Sequence, residues 1–132
     1  MLHAMLDTNV CIRVIRVKPQ HSRARFNAEA RALAISTIVL HELHEGVLRS
    51  YASERHLVEM KEFLRHVQVL DFDSTAAFHA AVVKADLLER KCVIGPNDLL
   101  IAGHARSLGL KLITGNLKEF TRVEGLHCED WL

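Results

Sequence analysis

Met5-Leu6-Asp7-Thr8-Asn9-Val10 passes from apolar residues to three polar ones and back to an apolar run. A short apolar segment ending in Asp-Thr-Asn reads as a buried strand whose polar turn caps a helix, here from Val10 to about Val17. The pattern recurs along the chain. Leu33-Ala34-Ile35 is a short buried strand, with Ser36 as N-cap of a helix over 37–49. Val67-Gln68-Val69-Leu70 reads as a strand, and Asp73 or Ser74 caps a long helix through about Lys91. Leu110 to Thr114 is a further strand, and Leu126 to Glu129 a closing extended segment. Other helices run from after Pro19 to about Ala30 and from Ser53 to near His66. One more follows the loop Gly95-Pro96-Asn97, from Asp98 to Leu108, and stops at a left-handed Gly109. Short apolar strands alternating with helices predict an α/β fold, a parallel sheet covered on both faces.

The 132 residues hold no linker, repeat or low-complexity stretch, so a single domain over 1–132 is expected. Hydrophobic content of 49% with 25% charged residues excludes disordered and fibrous classes. No apolar run approaches the roughly 20 residues of a membrane helix, and the start lacks a secretory signal. Cys11, Cys92 and Cys128 lie far apart, which suggests neither a disulfide framework nor a cysteine zinc site. A cytoplasmic protein that does not engage membranes is the expectation.

In parallel sheets the reactive groups gather beyond the carboxyl ends of the strands. Asp7 follows the first strand, and Glu119 follows the strand at Leu110 by a few residues. On the helix after Ser36, Val39, Leu40, Leu43 and Val47 form the apolar stripe, and Glu42 borders it. Asp98 aligns with Ile101, Ala102 and Ala105, the buried face of its helix. A carboxylate there is costly unless paired or bound to a metal. Singly, Asp7 or Asp98 is explained as a helix cap or first-turn acid. Together, acids brought to one sheet edge repel one another unless a hard divalent cation neutralises them. An all-oxygen set without cysteine selects Mg²⁺ or Mn²⁺, which activates water and stabilises the leaving oxygen in phosphodiester cleavage.

The net charge of +1 conceals a segment free of acids between Asp7 and Glu29. Arg13, Arg16, Lys18, Arg23 and Arg25 all fall there. It reads as a solvated helical face or as an edge that contacts nucleic-acid phosphates.

Other signals weaken on inspection. His41-Glu42-Leu43-His44-Glu45 resembles a zinc-protease motif, but its histidines are three apart where the motif needs four. His104 lies off the apolar stripe and reads as packed or surface. A haloacid-dehalogenase-like phosphatase needs a second acid two residues after Asp7, where Asn9 stands. A catalytically silent module that only binds RNA stays open on sequence alone, against the complete set of acids.

Met5-Leu6-Asp7-Thr8-Asn9 is joined by Ile35-Ser36 with Glu42-Leu43, and by Gly95-Pro96-x-Asp98-x2-Ile101-Ala102-x-His104-Ala105. Thr114-x-Asn116-x2-Glu119-Phe120, Gly125-Leu126 and Asp130-Trp131 complete the set. In this order and spacing the chain resembles the PIN-domain ribonucleases, more narrowly the VapC toxins of bacterial VapBC toxin–antitoxin pairs. The resemblance runs from end to end. It implies a three-layer α/β/α domain with a short central parallel sheet and Mg²⁺-dependent endoribonuclease activity, with Mn²⁺ as a substitute. It further implies inhibition by a VapB antitoxin, a homodimer, and a higher-order antitoxin complex that binds promoter DNA. The wording is closest to the branch that cuts initiator tRNA in its anticodon stem-loop. On this resemblance Asp7, Glu42 and Asp98 match the core metal-site acids, and Thr8, Asn9, Thr114 and Asn116 orient them by hydrogen bonds. Many PIN domains carry an Asp where Asn116 stands, so the fourth acid is Glu119. Direct ligation and an orienting role are both open for it.

Overall fold

The structure, a computed structural model, describes residues 1–17 and 26–131. The chain runs β1 (Ala4–Leu6), α1 (Thr8–Ile12, continued by a wider turn over Arg13–Val17), α2 (26–29), β2 (Leu33–Ser36), α3 (Thr37–Leu48) and α4 (Ser53–Leu64). It continues through β3 (Gln68–Leu70), α5 (Ser74–Glu89), α6 (Pro96–Leu108), β4 (Lys111–Ile113), α7 (Leu117–Phe120) and β5 (Cys128–Glu129). The five strands are all parallel, in the order β3-β2-β1-β4-β5. Right-handed crossovers put α1–α4 on one face and α5–α7 on the other, the three layers expected. β1 and β2 are buried along their whole length for that reason.

Register carries the site. Met5 pairs with Ala34 on one side and Leu112 on the other, so β1 lies at the centre. The chain leaves β1 towards β2 and returns to its other side as β4. The strand order thus reverses at β1, which opens a crevice at its carboxyl end.

Two helix starts differ from the sequence reading. α1 begins at Thr8, because Asp7 itself is the N-cap and its side chain accepts the Val10 N–H. α6 begins at Pro96, two residues earlier than expected. Proline's fixed φ and missing N–H suit a first helical position, so Gly95-Pro96 starts the helix and does not belong to the loop. Of the helix expected after Pro19, only its end at 26–29 lies within the described residues. Gly109 ends α6 at φ 67°, as its sequence position predicts. α5 and α6 pack very closely: a Cβ on Gly103 would stand 2.5 Å from the Ala80 Cα. Among the described residues no helix is long and apolar enough to cross a membrane.

Candidate active site

Asp7 sits in the crevice between β1 and β4, only 4% exposed. Its Oδ1 accepts the Val10 N–H at 3.0 Å, and its Oδ2 accepts the Thr114 hydroxyl at 2.5 Å. Thr114 is fully buried at the end of β4, and its Oγ1 also accepts the Asn116 N–H at 2.9 Å. Glu42 is half-buried on α3, and its Oε1 accepts the Thr8 hydroxyl at 2.5 Å. One residue after Asp7, Thr8 therefore brings α3 to the same edge. Asp98 stands half-buried in the first turn of α6. Both oxygens of Glu119 are engaged: Oε1 accepts the Gly95 N–H at 2.8 Å, and Oε2 accepts an Asn116 amide hydrogen at 2.6 Å. Glu119 thus clamps the start of α6, which carries Asp98.

These groups feel one another. Burial pushes Asp98 up to about 6, with the negative charges of Glu119, Asp7 and Glu42 adding to it. Burial likewise raises Asp7, against the hydrogen bonds from Thr114 and Val10, and Glu42 and Asp130 push the same way as burial. The charged groups that act on Asp7 and Asp98 are all acids. Such a set gains from a cation, and all-oxygen donors suit a hard divalent one. No three described His, Cys, Asp or Glu side chains converge into a ready-made metal cage. Mg²⁺ keeps several waters and takes only one or two carboxylates, so this open arrangement fits it in kind.

The other sequence candidates divide. Asn9 is exposed on α1, and no described side-chain bond joins it to the acids. Arg13 and Arg16 are exposed, and Arg16 lines the same groove as Glu42. Lys18, Arg23 and Arg25 lie outside the described residues. His41, His44 and Glu45 are exposed on α3, away from its buried Val39, Leu43 and Val47.

His104 is buried, which resolves its reading in favour of packing, and it bonds Ser36. Asp130 is the acid that sequence reasoning passed over. It follows β5, whose parallel pairing with β4 carries the next residue to the carboxyl edge, close enough to raise Asp7. The strand-end rule applied to Leu126–Glu129 would have found it.

A PIN domain profile matches residues 4–126. The chain is 46% identical to a tRNA(fMet)-specific endonuclease VapC of Salmonella typhimurium over 131 residues, 99% of each chain. Its structure superposes on a DNA-bound VapBC from Salmonella typhimurium with a TM-score of 0.97 at 45% identity, covering all of both chains. It also superposes on VapBC2 of Rickettsia felis, bound to a promoter DNA fragment, with a TM-score of 0.94 at 34% identity over 99% and 100% of the two chains.

Proposed function

The chain belongs to the PIN-domain family, in its VapC ribonuclease branch, and we propose that it is the toxin of a VapBC pair that cuts initiator tRNA with a divalent metal centre at Asp7 and Asp98, which Glu42 joins through water. The observation that carries this reading is the placement of Asp7 and Asp98 at the strand-order reversal, where every charged group that acts on them is an acid. A bound Mg²⁺ or Mn²⁺ supplies the charge that activates water and stabilises the leaving oxygen.

The chain's own groups do the rest. Thr114 and the Val10 N–H hold Asp7 at a set angle, and Thr8 aims Glu42. With one oxygen bonded to Thr8, Glu42 has the other available to orient a water. Glu119 bonds Gly95 and Asn116 and also reaches the Asp98 carboxyl, which supports an orienting role for it at the start of α6. Arg13 and Arg16, with the basic residues that follow them, contact RNA phosphates. Such contacts position an exposed loop without reading its sequence. The anticodon stem-loop of initiator tRNA is the substrate this reading favours, from the name of the Salmonella relative, and the cytoplasm is where the chain would meet it. Neither a phosphatase nor a silent binding module is favoured.

The partner is a VapB-type antitoxin, in complexes of the kind solved for Salmonella and Rickettsia, with homodimerisation and promoter DNA binding following from it. An apolar groove between α1, α3 and α4, lined by Ile12, Ile15, Leu43, Val47 and Met60, reaches Glu42 and suits an apolar antitoxin segment.

Incubation of the purified chain with total tRNA tests the reading. Cleavage with Mg²⁺, its loss on EDTA and no release from a phosphatase substrate are expected. Intact tRNA with Mg²⁺ present, or EDTA-resistant cleavage, contradicts it.

A further inference from the structure

The histidine of the Ile101-Ala102-x-His104-Ala105 motif takes no part in the reaction just described, yet it is 2% exposed. Its Nδ1 lies 2.8 Å from the Ser36 Oγ. That oxygen is also the N-cap of α3, accepting the Ile38 N–H at 3.0 Å. The ring stands edge-on to Phe72, with centroids 5.5 Å apart. The Phe72 N–H donates in turn to the Thr37 Oγ1 at 3.0 Å. The first turn of α3 is therefore tied on one side to α6 and on the other to the segment after β3.

A buried polar pair costs desolvation that an apolar side chain of the same shape avoids, but when satisfied it fixes geometry. The tautomer of His104 sets its sense. Ser36 Oγ already accepts from Ile38, and its own proton has His104 Nδ1 as partner only if the ring proton sits on Nε2. Burial supports a neutral ring, pushing His104 below the usual imidazole range against a smaller pull from Asp73 and Asp71.

We propose that His104 is a positioning residue: through Ser36 it fixes the start of α3, which carries Glu42, against α6, which carries Asp98. Glu42 lies six positions after Ser36, about 9 Å along the helix, so a small tilt of the first turn is carried to the Glu42 carboxylate. The inference rests on the metal-site reading of Glu42 and Asp98.

Three measurements test it. Ring ¹⁵N shifts of the wild-type protein are expected to show an unprotonated Nδ1 on His104. Mn²⁺ affinity is expected to fall severalfold in His104→Leu and to return in His104→Asn, whose amide oxygen stands near the Nδ1 position. Because a ~1 Å misplacement costs ~10²-fold, the smaller tilt in His104→Leu should lower kcat about tenfold, with KM for tRNA nearly unchanged and kcat mostly recovered in His104→Asn. A protonated Nδ1 overturns the proposal. So does a folded His104→Leu with wild-type Mn²⁺ affinity and kcat, or an Asn variant no better than Leu. If His104→Leu does not fold, the ring shifts and the Asn variant still decide. Should the wild type bind Mn²⁺ in this His104-dependent way yet cut no RNA, the proposed function fails while the tie between the helices stands.

Discussion

Thr114 Oγ1 donates a 2.5 Å hydrogen bond to Asp7 Oδ2, joining the end of β4 to the end of β1 across 107 positions of sequence. The bond closes the crevice where the strand order reverses. It also acts on charge, since a hydroxyl donated to a carboxylate favours the ionised form and partly offsets the burial that raises Asp7.

Thr114→Val keeps the shape of that side chain and removes the donor. Asp7 then ionises at higher pH, because burial acts with less opposition. The acidic limb of the pH–rate profile is expected to move to higher pH, with a stability loss of about 1–2 kcal/mol for a buried acceptor left unpaired. A profile that superposes on the wild type would remove Asp7 from the ionisations that limit the rate.

Glu42 and Glu119 should respond differently to the same change. In Glu42→Gln the carboxylate that Thr8 holds loses its charge, and kcat should fall by about 10²-fold or more, the order expected for a positioned general base. In Glu119→Gln one of two bonded oxygens becomes an amide, which opposes either the Gly95 N–H or the Asn116 amide. A lower melting temperature with a smaller loss of kcat is expected. Side-by-side Mg²⁺ titrations check the order, and a greater loss of kcat in Glu119→Gln reverses the roles assigned to the two acids.

Asp98 gives a pH signature without any substrate. Its folded pKa of about 6 lies above the ordinary 3.8, so the native state holds its proton more tightly than the unfolded chain. Ionising Asp98 therefore costs stability fully above about pH 6, and the cost fades as pH falls towards 4. Metal-free Asp98→Asn should be more stable than the wild type near neutral pH, by on the order of 1 kcal/mol after solvent screening, and the gap should close in acid. Mg²⁺ should stabilise the wild type and not the variant. Parallel pH dependences for both proteins in denaturant melts would contradict the raised pKa.

Gly103→Ala probes the scaffold. The added methyl has no space against the Ala80 backbone, so α5 and α6 must separate. Overpacking of this kind costs about 1–3 kcal/mol. A thermal melt unchanged from the wild type would show that the helices are not held at this approach.

Asp7 and Asp98 were legible because two general rules mark them: the strand-end position and a charge on a buried helical face. Glu42 was legible as a border residue, though its bond to Thr8 spans 34 positions and no local pattern signals it. The clamp by Glu119 on Gly95 was not legible, since it depends on how the loop after β4 meets α6. His104 escaped because a single-stripe wheel assumes one buried face. α6 buries Leu99, Ile101, Gly103 and His104 as well as Ala102 and Ala105, being enclosed on more than one side. The start of α6 was misplaced for a simpler reason: Gly-Pro marks loops and helix starts alike.

The most direct test is to map the 5′ ends produced from total tRNA by the wild type and by Asp7→Asn and Asp98→Asn, each confirmed as folded, with Mg²⁺ present. The account predicts one cut in the anticodon stem-loop of initiator tRNA with the wild type and none with either variant, because an amide keeps the shape of the carboxylate but loses the charge that holds the cation. The same cut made by either variant would contradict the assignment of the acids, and a wild type that leaves initiator tRNA intact while cutting another RNA would contradict the substrate.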